Sequence, residues 1–584
     1  MLYVVESLLF APGPTAESEE YSLTESKDVD RRRFLKYTGA FVAGAIVAGA
    51  GVAAYDATKP IAAQTQTVTE TLTARETVTV GQTVAPPPAA GKIPLPKDLL
   101  KADWIKYARI PEDYVIKGDW SATVDWSAIK KQWGGTTITM ACEGVDIAAP
   151  EMFRPYFEDL SGMKVELLGI PTDVFHEKLM AEFVAKTGRY DMAELFVDWG
   201  ASYMPYMNDL APMCRKYGVR LEDYHPVFRM LATTPEGKVL GLPEDADFHV
   251  LHYRGKCFKK AGLDPLTPPK TWDEVVQYCD KMKPALAADK IYPFCQLSGK
   301  GFWSYWQWFY YATMYGLDLL KPGTWEPHLN SDAGVNALKL YKKLFDYCPP
   351  GDIDWGYPDV REQWLSGNVA MFDLWQCVGR QAYDPAESKI SPMTDPTEQL
   401  YHATVPAGPA RWAPAWTWTT TVYGIPLASD TPEAAFLWAA FLSSAQSAFL
   451  LGAAGTGVEA GHAVALSDPV VWRSQPSYYP EWYQLPHAWT NLAIMETFEL
   501  EEAAGAEIYN YLAGVESDPK KALDRANKKW EDILRDAYIS KNAPPPLPLD
   551  LAARAKQLGI TMPMPDQDIG PGALPPRRTE CLPG

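Results

Sequence analysis

The sequence has no CxxC pair and no His beside a Cys at zinc-finger spacing, which argues against a structural zinc framework. It has no HExxH helix, nucleophile elbow or phosphate loop, so the commonest hydrolase and nucleotide-binding signatures are missing. Basic residues are scarce: 54 Lys and Arg stand against 73 Asp and Glu, a net charge of −19. Phosphate backbones need a basic face, so nucleic acid is not an expected partner. No internal repeat of solenoid or propeller period is visible. Charged residues make up 22% and hydrophobic residues 47%, values that argue against wholesale disorder and a polytopic membrane protein.

What is present is length and tryptophan. At 584 residues the chain is too long for one compact core, since domains run about 50–250 residues. Trp occurs 21 times, against 20 Phe. Trp supplies buried area, and it also makes stacking platforms for flat apolar ligand faces. Composition does not separate the two uses. The eight cysteines (Cys142, Cys214, Cys257, Cys279, Cys295, Cys348, Cys377 and Cys581) are open to either reading, free buried thiols or partial pairing after export.

The N-terminus has the layout of an export signal. Arg31, Arg32, Phe34, Leu35 and Lys36 form a twin-arginine pattern ahead of an uncharged run from Tyr37 to Tyr55. That run is 19 residues, just long enough to span a bilayer at about 20. Cleavage and retention as an anchor are both compatible with it. Residues 1–58 are therefore read as a leader, and 59–119 as a Thr/Pro-rich stalk and lead-in with too little apolar surface to fold alone.

From Trp120 the pattern becomes globular. Thr136–Cys142, Lys164–Leu168 and Met192–Val197 read as strands, and Met152–Leu160 and Val174–Thr187 as helices. Such alternation predicts βαβ units in a mostly parallel sheet. Thr271 and Glu274 make a capping box, Ser331 precedes a helix over 333–345, and Thr431-Pro432 opens a long helix reaching Leu451. After Ala537 the pattern fails. The Pro-rich tail, 541–584, is expected to be largely disordered, with one short helix near 551–558.

Several segments follow in order: Gly237–Pro243 leading to His252-Tyr253-Arg254, Phe258–Asp264, Pro269–Glu274, Trp364–Met371, and Tyr423–Pro426 before the Thr431 helix. This series resembles the extracellular solute-binding proteins of ABC importers, in the branch that includes maltodextrin- and other sugar-binding proteins. The resemblance implies an α/β periplasmic-binding-protein fold, with two lobes joined by hinge strands and a ligand cleft between them. It implies crossings near Asp245–His249, Ala403–Pro406 and Gly452–Gly461. The body, 120–540, would then divide into one lobe of about 136–246 and 407–455 and another of about 248–402 and 462–540.

The same resemblance implies capture of a sugar or oligosaccharide outside the cytoplasm, and delivery to a membrane permease by a monomer with no cofactor and no metal. A sugar offers a weakly apolar ring face and a rim of hydroxyls, which suit aromatic planes and carboxylates respectively. Glu143 and Trp199 fall in loops after strands, where open α/β sheets bind ligands. The resemblance adds Asp247 at the first crossing, Tyr305 and Trp308 in an aromatic stretch, and Trp375 after a late strand. In that stretch, Gly301–Tyr311, eight of eleven residues are aromatic. Trp416 and Trp418 share one strand face, and Trp482 lies in a late aromatic segment. The alternatives are a secreted carbohydrate hydrolase with two opposed carboxyls, a binder of peptide or polyol, and a stalked adhesion protein.

Overall fold

The computed structural model describes residues 118–575, apart from 235–236, 414, 417–419, 455–457, 460, 469–470, 473–475 and 566. The twin-arginine residues, the Thr/Pro-rich segment, Trp418 and Cys581 lie outside the described residues.

Two sheets organise the body. The first begins with β1 (Thr137–Glu143), followed by α1 (Ala148–Ser161), β2 (Lys164–Ile170), α2 (Phe175–Ala185) and β3 (Met192–Phe196). These are the expected βαβ units. β1 runs parallel to β2, with Thr137 opposite Lys164, and parallel to β3, with Met140 opposite Met192. α1 stops at Gly162, whose φ of 68° is the left-handed geometry that glycine adopts without Cβ strain. β4 (Gly241–Pro243) completes this part of the chain, and β5 (His249–Arg254) starts the second sheet.

The chain then runs through α3 (Trp272–Leu286), α4 (Phe302–Met314), α5 (Asp332–Leu344) and α6 (Tyr357–Leu365) to β6 (Met371–Trp375) and β7 (Leu400–Ala403). After β8 (Ala415–Trp416), β9 (Thr421–Gly424) returns to the first sheet. The first sheet has the order β2-β1-β3-β9-β4, with β9 antiparallel to both its neighbours. The second has the order β6-β5-β7 and is antiparallel throughout. Within these two sheets the expected parallel pairing therefore holds only for β1–β3; β8 pairs in parallel with a later strand, Ala488–Trp489, in a separate two-stranded sheet. The returning strand enters from the opposite end, and the second sheet is built from strands joined by long excursions rather than by single crossover helices.

The link from β4 to β5 is held from both sides. The Glu244 N–H donates to the Thr421 carbonyl at 3.1 Å, beside the first sheet. The Phe248 N–H donates to Oε1 of Gln376 at 2.8 Å, beside the second. Between them, the Ala246 N–H donates to the Glu459 carbonyl at 2.9 Å.

Helix termini follow the sequence signals with two differences. Thr271 accepts from the Glu274 N–H at 3.2 Å, but Glu274 reaches back to the Lys270 N–H at 2.6 Å rather than to Thr271. The long helix expected after Thr431 is two, α7 (Pro432–Leu442) and α8 (Ala445–Ala454), bent by 50°. At the break, the Ser443 hydroxyl donates back to the Ala439 carbonyl at 2.8 Å, a bond that competes with the helix ladder. Among the described residues no single helix is long and apolar enough to cross a membrane.

Further along lie α9 (Tyr478–Gln484), β10 (Ala488–Trp489), α10 (Thr497–Leu512), α11 (Pro519–Leu534) and α12 (Leu551–Leu558). One buried core joins Ile138, Phe153, Phe157, Trp438 and Phe441 with residues as late as Ala488, Leu551 and Ala555. A larger core joins hydrophobic residues of β5, β6, α4 and the stretch from Leu492 to Leu534 with Phe175, Leu179 and Phe183 of α2 and Leu195 and Phe196 of β3. The tail to residue 575 is not loose. Leu551 is fully buried in the first core, Trp325 Nε1 donates to the Ala543 carbonyl at 3.0 Å, and the Thr404 N–H donates to the Ala573 carbonyl at 3.0 Å. Its prolines suppressed the periodic signal without preventing packing. The seven described cysteines are all buried and free.

Candidate functional site

A cavity opens where the carboxyl ends of β1, β2 and β3 face α4, α6 and the end of β6. It is lined by Glu143, Val145, Asp146, Thr172, Phe196, Asp245, Asp247, Trp303, Trp306, Tyr357, Trp375 and Cys377. About 370 Å³ of atom-free space lies there, part of it open to solvent. Loops at strand carboxyl ends are the expected ligand position in open α/β sheets. None of the lining residues is Lys, Arg or His.

The carboxylates come from three places. Glu143 ends β1, and its N–H donates to Oε2 of Glu194 in β3 at 3.0 Å. The Thr172 hydroxyl donates to Oε1 of Glu143, tying the loops after β1 and β2 together. Asp146 opens the turn into α1, its carbonyl accepting from the Ala149 N–H at 3.0 Å. Asp245 and Asp247 lie on the link between the sheets, and Oδ1 of Asp245 accepts from the N–H of Ala246 at 2.8 Å and of Glu459 at 2.7 Å. Carboxyl oxygens of Glu143, Asp146 and Glu194 lie within 4.8 Å of one another. Burial pushes Glu143 and Asp245 up to about 7, and Asp146, Glu194 and Glu244 well above the usual carboxylate range.

The aromatic wall comes mainly from one face of α4. Trp303 and Trp306 line the cavity, and Trp303 Nε1 donates to Oδ1 of Asp173 at 3.1 Å, across the cleft from α4 to the segment after β2. Gly356 leaves room for this ring, since a Cβ there would lie 3.1 Å from it. Trp375, at the end of β6, meets Tyr357 edge-on at 4.8 Å, and its buried Nε1 has no hydrogen-bond partner.

The residues chosen from sequence separate into three groups. Glu143, Asp247 and Trp375 line the cavity. Trp199 does not: it is buried one layer behind, stacked on Trp306 at 6.1 Å, with Nε1 donating to Oε2 of Glu501 at 2.8 Å. Tyr305 and Trp308 face away from the cavity. The Tyr305 hydroxyl donates to Asn491 at 3.1 Å, and Trp308 Nε1 donates to the Gly334 carbonyl at 3.0 Å. Trp482 sits near His225 at 6.0 Å, outside the lining. The backbone of Trp416 lies in β8, and Trp418 is outside the described residues.

Sequence reasoning missed Trp303 and Trp306 as wall residues because all thirteen residues of α4 are buried, leaving no polar face to orient the helix. It missed Tyr357 because nothing local marks it. Asp146 and Asp245 carried a signal, lying in the same acidic loops as Glu143 and Asp247.

Comparison with known proteins agrees with this architecture. A probable amino-acid ABC transporter periplasmic-binding protein of Sinorhizobium fredii is 24% identical over 357 residues, 60% of this chain and 78% of its own. The sn-glycerol-3-phosphate-binding periplasmic protein of Brucella abortus is 36% identical, but over only 75 residues, 12% of this chain and 17% of its own. The ribitol-bound solute-binding protein of Agrobacterium radiobacter superposes with a TM-score of 0.61 at 24% identity, covering 68% of this chain and 99% of that one. Maltose-bound MalE3 of T. maritima gives a TM-score of 0.61 at 21% identity, covering 68% and 100%. These likenesses establish the two-lobed fold. The bacterial extracellular solute-binding protein family matches residues 146–449, over half of the sequence, and the chain belongs to that family.

Proposed function

We propose that this protein captures a small polyhydroxylated solute in the cavity between its two sheets and hands it to the membrane permease of an ABC importer. The observation that carries the reading is the combination of four carboxyls and three indoles around one cavity with no basic side chain. Carboxylates accept from hydroxyls, and indole faces cover the apolar side of a sugar or polyol. The structural neighbours that bind ribitol and maltose support this class.

The family and its neighbours are binding proteins, and the proposed mechanism is capture and closure without chemistry. Glu143, Asp247 and Trp375 are assigned to ligand contact, with Asp146, Asp245, Trp303, Trp306 and Tyr357 added. Arg31 and Arg32 support export by the twin-arginine route, and the run from Tyr37 to Tyr55 supports a tether to the outer face of the cell membrane.

A thermal-shift screen of the full chain against ribitol, D-glucitol, maltose, peptides and sugar phosphates tests the reading. A ligand that binds only the native state stabilises by about 2.7 kcal/mol at a hundredfold excess over Kd. A shift with a polyol or sugar, with the ligand recovered unchanged, is expected. A shift with phosphorylated compounds alone, or release of a hydrolysis product, would contradict it.

A further inference from the structure

Behind the aromatic wall of the cavity, two separately anchored parts of the protein meet. Trp199 belongs to the first sheet, in the turn that directly follows β3. α4 belongs to the second: the Tyr310 hydroxyl donates to Asp373 in β6, and its ring lies 4.5 Å from His249 in β5. α10 is fixed to α4 at backbone distance. The Ser304 hydroxyl donates to the Gly505 carbonyl at 3.0 Å, and a Cβ on Gly505 would lie 1.9 Å from the Gly301 carbonyl oxygen. α4 and α10 therefore form one body with the second sheet, while Trp199 is carried by the first.

Their meeting face is aromatic, with one polar bond through it. Trp199 stacks on Trp306 at 6.1 Å and meets Phe302 and Phe498 edge-on at 5.9 and 5.1 Å. His176 of α2 stacks on Phe498 at 4.3 Å. Trp199 Nε1 donates to Oε2 of Glu501 in α10 at 2.8 Å, and Asn491 Nδ2 donates to Oε1 of the same carboxyl at 2.6 Å. Asn491 is held in that orientation, because its Oδ1 accepts from the Tyr305 hydroxyl at 3.1 Å and from the Leu492 N–H at 2.8 Å. Glu501 also interacts with the Trp306 indole, and Trp306 is a wall of the cavity. Neither Trp199 nor Glu501 lines it. Parting the two bodies would break the Trp199–Glu501 bond and return these rings to water, so both favour the closed arrangement.

Resting on the reading of this cavity as the solute site, we propose that Glu501 is a positioning residue which, by holding Trp199, clamps the first sheet to α4 and α10 and keeps the cavity closed without touching the solute. Apparent affinity scales with the fraction of the chain in its competent form, so a tenfold loss of the closed form weakens binding tenfold. A solute leaves only after the clamp opens, which places the effect mainly on the dissociation rate.

Two variants isolate the bond: Trp199→Phe keeps a ring and removes the donor, and Glu501→Gln keeps the size and replaces one acceptor by a donor. Each is made in the full chain with spin labels at Val184→Cys and Val515→Cys, both exposed, and with Cys581→Ser; the seven described cysteines are buried. Electron–electron resonance then reads the separation of α2 from the end of α10 without any solute. Both variants are expected to add a population at longer separation than the otherwise unsubstituted labelled chain shows. They are also expected to bind ribitol or maltose at least about tenfold more weakly, through faster dissociation. A lowered melting temperature with the separation unchanged would overturn the clamp in favour of a purely structural role, and leave the solute reading standing. Weaker binding with the separation unchanged would overturn it too, by pointing to direct solute contact. A lengthened separation in both variants, with neither ribitol nor maltose bound by the chain that keeps Trp199 and Glu501, would support the clamp and count against the solute reading.

Discussion

Gln376 brackets the link between the two sheets at Phe248: its Oε1 accepts from the Phe248 N–H at 2.8 Å, while its Nε2 donates to the Ala246 carbonyl at 2.7 Å. The same Nε2 reaches Oε2 of Glu481 in α9 at 3.0 Å. A residue immediately after β6 thus fixes the backbone that passes from the first sheet to the second. Gln484 repeats the device, donating to the His249 carbonyl at 2.8 Å and accepting from the Val405 N–H at 2.7 Å.

Removing the first of these amides strands buried donors and acceptors. Each such group costs about 1–3 kcal/mol when left unsatisfied. Gln376→Ala is therefore expected to lose about 2–4 kcal/mol of stability, read by urea denaturation. A loss below about 1 kcal/mol would mean that the link is held by backbone bonds alone.

Trp308 and Trp303 should behave oppositely. Trp308 is fully buried against Gly334 and Tyr305, away from the cavity. Trp308→Ala is expected to cost about 3–5 kcal/mol of stability, with solute affinity of the folded protein unchanged. Trp303→Ala is expected to weaken binding at least tenfold at a smaller cost in stability. Calorimetry on both variants, by titration and by thermal scan, separates the two effects.

Stability should rise as pH falls from about 8 to 6.5. Burial raises Asp352 and Glu501 to about 8, and Glu143 and Asp245 to about 7. A carboxyl raised in the folded state holds its proton there and loses it on unfolding, so its contribution is full below the unfolded value and lost as pH climbs through the folded one. Buried histidines oppose this only below their ordinary value of 6.5. His225 and His252 are lowered to about 3, and His176 and His462 to about 4, all by burial. Between pH 6.5 and 8 the carboxyls act alone. Melting temperature measured over that range should fall with pH, and Asp352→Asn should flatten the slope and raise stability at pH 8.

The Pro-rich tail is predicted to be structural. Leu551→Ala removes a fully buried side chain from the first core and is expected to cost about 2–5 kcal/mol. Limited proteolysis that trims the wild-type chain to residue 541 without loss of stability would contradict the packing described here.

Much of the first sheet was legible in the sequence because each element carried its own periodicity. β1, β2, β3 and α5 end within three residues of their expected bounds, and α12 matches at both ends. The tail around α12 was illegible because prolines erase periodic patterning while tolerating contact with a finished surface. The break between α7 and α8 was hidden by an apolar run in which only Ser443, Ser444, Gln446 and Ser447 are polar. The site was half legible: Glu143, Asp247 and Trp375 follow from strand ends and family resemblance, and they reach the cavity. Trp303 and Trp306 did not follow, because on a helix buried all round the choice of facing side is made by the elements packed on it, chiefly α5 and α10.

The most direct test of the central claim is a crystal structure of the full chain with the sugar or polyol that gives the largest thermal shift. The account predicts density for the solute in the cavity, in contact with Glu143, Asp247, Trp306 and Trp375. A solute bound elsewhere, with this cavity unchanged from the free protein, would contradict it.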